Sequence, residues 1–168
     1  MLRQIIIPTV CSVLLMTGCQ TWPPQDPNRL PPSAALPETS QPGEVQVLYW
    51  NGLSGTTTNS LTTAPGFPDS PDTVGLLNTL EGPTDQGDNY GSFVRGYIIP
   101  TETGLYTFYV SGDDQTEFWL SPSSDPSQKA KVAEVPDWTF PLSYSKYSSQ
   151  RSPAQQMTAG QRYYFEII

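Results

Sequence analysis

Three short runs between Ser92 and Leu120 most restrict what this chain can become. Ser92–Ile99, Leu105–Ser111 and Thr116–Leu120 are rich in Phe, Tyr, Val and Ile, and the polar turns Pro100–Gly104 and Gly112–Gln115 separate them. β-Branched and aromatic residues favour the pleated strand, and Gly, Pro and Asp punctuate it. Alternate residues of a strand point to opposite faces, so Tyr106, Phe108 and Val110 share one face and Tyr109 takes the other. Consecutive strands joined by short turns predict a meander. Val45–Trp50 opens the β region, Lys131–Val135 is a weaker strand, and a last pair lies around Ala154–Thr158 and Arg162–Ile168. Asn51–Asn89 reads as a long turn-rich loop, packed onto the body by Leu53, Leu61, Phe67, Leu76 and Leu77. No repeat and no amphipathic helix stands out. The fold class is all-β, an antiparallel β-sandwich or elongated β-barrel over residues 45–168. A domain of this size buries about two thirds of its surface and needs no covalent staples.

The segment before it has no such pattern. Arg3 precedes the mostly apolar run Ile5–Met16, which has 12 residues, against the roughly 20 that span a bilayer as a helix. This is the anatomy of a signal peptide. Thr17-Gly18-Cys19 resembles the cleavage box of bacterial lipoproteins, with Met16 where that box prefers Leu. The resemblance implies removal of residues 1–18 and acylation of Cys19, and Gln20 after the cysteine implies export to the cell outer membrane. The lipid bilayer, reached through Cys19, is then the first expected partner. With Cys11 lost and Cys19 lipidated, the mature domain keeps no thiol and no disulfide. Gln20–Glu44 holds seven prolines in 25 residues. It favours extended polyproline conformations, builds no core, and reaches at most about 75 Å. Residues 19–44 thus read as a lipidated cysteine plus tether.

Charge narrows the function. Eight Lys+Arg against 16 Asp+Glu give a net charge of −8, or −9 once Arg3 leaves. An acidic surface repels phosphate backbones, so nucleic acid is not an expected partner. The absence of His removes the usual general base and the imidazole metal sites. No phosphate loop or nucleophile elbow is present, and no enzymatic activity is expected.

An ordered set of motifs carries a resemblance. Gly87-Asp88-Asn89-Tyr90-Gly91 leads into Arg95-Gly96-Tyr97-Ile98. Thr103-Gly104-Leu105-Tyr106-Thr107-Phe108, Ser111-Gly112-Asp113-Asp114 and Phe118-Trp119-Leu120 follow, and Thr158-Ala159-Gly160-Gln161-Arg162-Tyr163 completes the set. At this spacing the chain resembles the protective-antigen (PA-14) domain family over most of Val45–Ile168. The resemblance implies a β-sandwich or elongated barrel found in toxins, glycosidases, adhesins and lectins. In the lectin members two adjacent aspartates joined by a cis peptide bind Ca²⁺, which grips sugar hydroxyls. Asp113 and Asp114 match that pair. Family members usually continue into a further loop and strand that supply more ligands. Here the sequence stops at Ile168: either the sequence is truncated, or the domain lacks its last strand, and an exposed sheet edge is predicted at Tyr163–Ile168.

The candidate residues have plainer roles beside the functional ones. Gly112-Asp113-Asp114 is ordinary turn chemistry, and it is also a pair of hard oxygen donors suited to Ca²⁺, with Gln115 as a further donor. Asp88 and Asn89 brace a loop through side-chain to backbone bonds, or approach the metal. Trp138, Tyr144 and Tyr147 lie in the polar loop Pro136–Pro153, where they stack on a sugar or pack back onto the sheet. Trp50, Trp119, Tyr106 and Phe108 read as core. The expected function is a carbohydrate- or surface-polymer-binding lipoprotein domain, with Ca²⁺ at Asp113–Asp114. The alternatives are a protein-interaction module, or a fragment of a larger envelope protein or adhesin.

Overall fold

The computed structural model describes residues 43–84 and 86–168. The signal segment, Cys19 and almost all of the tether lie outside the described residues.

Eight strands follow one another: β1 (Val45–Asn51), β2 (Thr73–Leu77), β3 (Tyr90–Ile98), β4 (Gly104–Tyr106), β5 (Thr116–Leu120), β6 (Ala130–Val135), β7 (Gln155–Met157) and β8 (Tyr163–Ile167). One five-residue helix, α1 (Thr58–Thr62), precedes β2. Six strands form one antiparallel sheet in the order β2-β1-β3-β8-β5-β6, and β4 pairs with β7 in a second, smaller layer. The sheets face each other as a sandwich and do not close into a barrel. Among the described residues no helix is long and apolar enough to cross a membrane.

β1 explains the architecture at residue level. Its run Val47-Leu48-Tyr49-Trp50 is buried throughout, because β1 is covered on both faces. Val47 and Tyr49 enter the main core between the layers, with Val94, Phe118, Val135, Met157, Tyr163 and Phe165. Leu48 and Trp50 point the other way, into a second core with Leu61 and Phe93, against which Leu53 and Phe67 pack. A strand buried on both faces has no polar side, so its sequence does not alternate. The segment from Leu53 to Phe67 is therefore a cover, and the helix within it places Leu61.

Several expectations need correction. The three runs from Ser92 to Leu120 do not form a meander. β3 pairs with β1 and β8, β4 leaves for the second layer, and β5 pairs with β6 and β8. Strand pairing is set by which apolar faces can be covered together, and neighbours in sequence lost that competition here. The terminal strand is not an exposed edge. β8 lies between β3 and β5 and is buried from Tyr163 to Glu166. The long loop holds α1 and β2, and β2 is an edge strand on which Leu76 is 66% exposed and anchors nothing. The face assignment of the second run holds: Tyr106 and Phe108 pack on the main core, Val110 is buried, and Tyr109 is exposed.

Candidate functional site

Asp113 and Asp114 lie where the chain crosses from the second layer back into β5. The peptide bond between them is cis. Asp113 is exposed and Asp114 is partly buried. Their carboxylates lie within hydrogen-bonding reach of each other, and Asp137 is close enough to act on Asp114. Burial first, then the charge and hydrogen bond of Asp113 and the charge of Asp137, push the Asp114 carboxyl above the usual aspartate value. Among the described residues, no Lys or Arg forms an ion pair with any of the three.

The neighbouring chain is held stiffly. Thr139, itself buried, donates its amide to the Gly112 carbonyl at 2.7 Å, and its Oγ1 accepts the Gly112 amide at 3.0 Å. Asp113 pairs antiparallel with Trp138 across this junction. Tyr90 is near enough to feel the pair: its hydroxyl pKa rises mainly through burial, then through Tyr49 and the Asp113 charge. A Cβ on Gly112 would stand 1.9 Å from Thr116 Oγ1, so the turn needs glycine for space. Gln115 is not a free donor for a metal: its Oε1 accepts from the Thr58 amide at 2.9 Å and from the Thr58 hydroxyl at 3.2 Å. Among the described residues, Asp88 and Asn89 do not brace the loop through side-chain to backbone bonds. Asn89 sits at φ 58 and its backbone carbonyl accepts from Leu53 at 2.9 Å. Neither side chain makes a hydrogen bond among the described residues.

The loop aromatics divide. Trp138 is 38% exposed, carries the Lys146 ammonium 3.7 Å from its ring centroid, and meets Phe140 edge-on at 5.1 Å. Tyr144 is exposed and meets Tyr109 at 6.2 Å. Tyr147 packs against the main core and belongs to the scaffold. Trp119 is not core: it is partly exposed on the outer face, its indole N–H donating to Glu117 at 2.9 Å. Sequence reasoning missed Asp137, and it missed Phe140, which is 71% exposed. The only signal was position, since both lie within three residues of Trp138. What fixes this loop is Gln150, fully buried, whose side chain donates to the carbonyls of Val110 (2.9 Å) and Ser143 (2.6 Å) and accepts from the Tyr147 amide (2.8 Å).

The donor set suits Ca²⁺ in kind, being oxygen only, with two facing carboxylates that repel each other and, among the described residues, form no ion pair with Lys or Arg. It falls short in number. Among the described residues no group of three or more His, Cys, Asp or Glu side chains could hold a metal. A groove of about 660 Å³ over Val47, Tyr49 and Gly75 contains neither aspartate.

Comparison with known proteins adds a family and three relatives. The family model described as PA14 domain matches residues 40–168. Mouse (Mus musculus) N-acetyl-beta-glucosaminyl-glycoprotein 4-beta-N-acetylgalactosaminyltransferase 1 is 37% identical over 108 residues, covering 62% of this chain and 10% of that protein. Fibrocystin of Canis lupus familiaris is 28% identical over 88 residues, and mouse fibrocystin-L is 28% identical over 81. Each of these two matches covers 48% of this chain and 2% of the relative. The chain thus spans a tenth or less of the length of these relatives.

Proposed function

Because the chain belongs to the PA14 domain family, we propose that its β-sandwich is a carbohydrate-binding domain that holds sugar hydroxyls through Ca²⁺ at Asp113 and Asp114. The carrying observation is the pair of adjacent carboxylates itself. The two face each other and, among the described residues, form no ion pair with Lys or Arg, beside the exposed rings of Trp138 and Phe140. Ca²⁺ takes six to eight oxygens, and when bound it accepts sugar hydroxyls as ligands. The protein's own part is placement. Thr139 and Gly112 fix the turn, the aspartates supply charge, and the free surface of Trp138 and Phe140 offers apolar contact to a sugar ring.

The mouse transferase, whose name specifies a glycoprotein substrate, supports a glycan partner for the shared region. A protein-interaction module would be favoured by an apolar patch lying apart from Asp113. The exposed rings of Trp138 and Phe140 adjoin it, through the Asp113–Trp138 pairing, and exposed Val74 and Leu76 on the edge strand β2 are the counterpart that a protein partner would use. The domain binds and does not catalyse. Lipid on Cys19 would carry it on the outer membrane, with the proline-rich tether as a spacer.

Thermal unfolding of the intact chain, with chelator and then with millimolar Ca²⁺, tests the site. At 100 times its dissociation constant a ligand adds about 2.7 kcal/mol, which raises the midpoint visibly. The same rise in an Asp113→Asn, Asp114→Asn variant would place the ion elsewhere. A Ca²⁺-dependent response followed by glycan binding lost in that variant supports the reading. Calcium binding without any glycan response removes the carbohydrate part of it.

A further inference from the structure

The outer face of the large sheet carries a second feature that shares no residue with Asp113 and Asp114. On β3, Val94 enters the main core, so Arg95 points to the opposite side. There the sheet register sets Arg95 beside Glu166, Glu166 beside Trp119, and Trp119 beside Lys131. The cover segment roofs part of this row. A cavity of about 220 Å³ lies between them, with Phe67 and Pro68 above and Arg95, Trp119, Lys129 and Glu166 below.

Arg95 is poorly satisfied for a buried charge. Its side chain is 9% exposed. A guanidinium carries five N–H donors. Here Nη1 makes one long contact, 3.4 Å to Asp69 Oδ1, and Nε is buried without a partner. Asp69 itself is 44% exposed, and the Phe93 ring lies 5.6 Å from the guanidinium carbon. Glu166 does not complete the pairing. Its Oε1 is taken by Lys129 and by the Tyr164 hydroxyl, both at 2.8 Å, and no hydrogen bond joins it to Arg95. Buried charges are normally paired and fully hydrogen-bonded. Of the six Lys and Arg among the described residues, four (Arg95, Lys129, Lys131 and Arg162) gather on this face.

We propose that this cavity is a ligand site in which Arg95 receives the carboxylate of a sugar acid, a single hexuronate-sized unit. A carboxylate matches the guanidinium fork in a way that one hydroxyl does not. The walls suit a pyranose ring: Phe67, Pro68 and Trp119 present flat apolar surface, and the indole N–H bond to Glu117 holds the Trp119 ring in place. The volume is below the roughly 300–1,000 Å³ typical of drug-sized pockets, which suits one ring rather than a chain. No metal enters this recognition.

The test is an amide and side-chain NMR titration of the intact chain in the presence of chelator, with sodium glucuronate, glucose and sodium acetate in parallel. Glucuronate is expected to shift the Arg95 Nε–H and Trp119 indole signals, with affinity at least about tenfold above that of glucose or acetate. Asp69→Asn, at a half-exposed rim position, removes the competing negative charge and should tighten binding. Arg95→Lys should weaken it about tenfold or more. The Asp113→Asn, Asp114→Asn variant should bind glucuronate as the wild type does, which separates this site from the calcium reading. No response to glucuronate in either the wild type or Asp69→Asn overturns the proposal. A response equal to that of glucose overturns the carboxylate assignment, and one equal to that of acetate overturns the sugar.

Discussion

At the scale of single residues, Asp114 gives a pH signature. Its carboxyl is raised above the usual aspartate value, first by burial and then by Asp113. The folded chain therefore holds that proton more tightly than the unfolded chain does. This group's contribution to stability is present at low pH and is lost as pH rises through the folded-state pKa. A cation reverses the preference, so Ca²⁺ affinity should climb with pH across the range just above the ordinary aspartate value. Titrating Ca²⁺ binding at several acidic pH values checks this. A flat profile, or the same profile in Asp114→Asn, removes Asp114 from the site. Gly112 is the other decisive position, since any Cβ there meets Thr116 at 1.9 Å from Oγ1 and 2.8 Å from Cβ. Gly112→Ala should cost about 1–3 kcal/mol through overpacking, read by urea unfolding, and should weaken Ca²⁺ binding as the turn shifts.

At the scale of elements, two contacts hold the scaffold around the proposed site. The Gln150 side chain, itself fully buried, ties the Ser143–Tyr147 stretch to Val110 through three hydrogen bonds. Gln150→Leu leaves the Val110 and Ser143 carbonyls and the Tyr147 amide without their side-chain partner, at about 1–3 kcal/mol for each group that stays dry. Destabilisation of at least about 2 kcal/mol in urea unfolding is expected, with Trp138 fluorescence changing earlier than the global transition. A single coincident transition at wild-type stability would show that the loop stands without Gln150. β8 gives the matching case for the scaffold. Phe165 is 2% exposed and meets Phe118 at 6.2 Å, so Phe165→Ala should cost about 3–5 kcal/mol. Leu105→Ala, on a residue 70% exposed, should change stability by less than about 0.5 kcal/mol.

At the scale of the whole molecule, a six-stranded sheet bears two different surfaces. One face meets the small second layer, whose loops carry the aspartates and the exposed rings. The other is half covered by the Leu53–Phe67 segment and presents the ordered row from Arg95 to Lys131. The acidic charge of the whole chain opposes adsorption to anionic lipid, so the proposed attachment to the outer membrane rests on acylation of Cys19 rather than on charge. Cys19→Ser should move the protein from the membrane fraction to the soluble fraction of cells that express it. Retention in the membrane fraction would remove the lipid anchor.

The sequence by itself determined the all-β class, most strand positions, the inward face of Tyr106, Phe108 and Val110, and the aspartate pair. These follow from local chemistry: β-formers, turn residues and period-two alternation act over a few residues. Only the tertiary structure decided that β8 is interior, that the Ser92–Leu120 runs part company, and that Trp119 faces outward while Tyr147 packs inward. Those outcomes depend on which distant faces can be covered together, as when the Leu53–Phe67 segment buries Leu48 and Trp50. The same holds for the sites. Gly112-Asp113-Asp114 is readable as a turn with two carboxylates. The approach of Asp137 and Trp138 to it, and the placing of Arg95 beside a Glu166 already engaged by Lys129 and Tyr164, arise from pairing between segments far apart in the chain, and no local pattern encodes them.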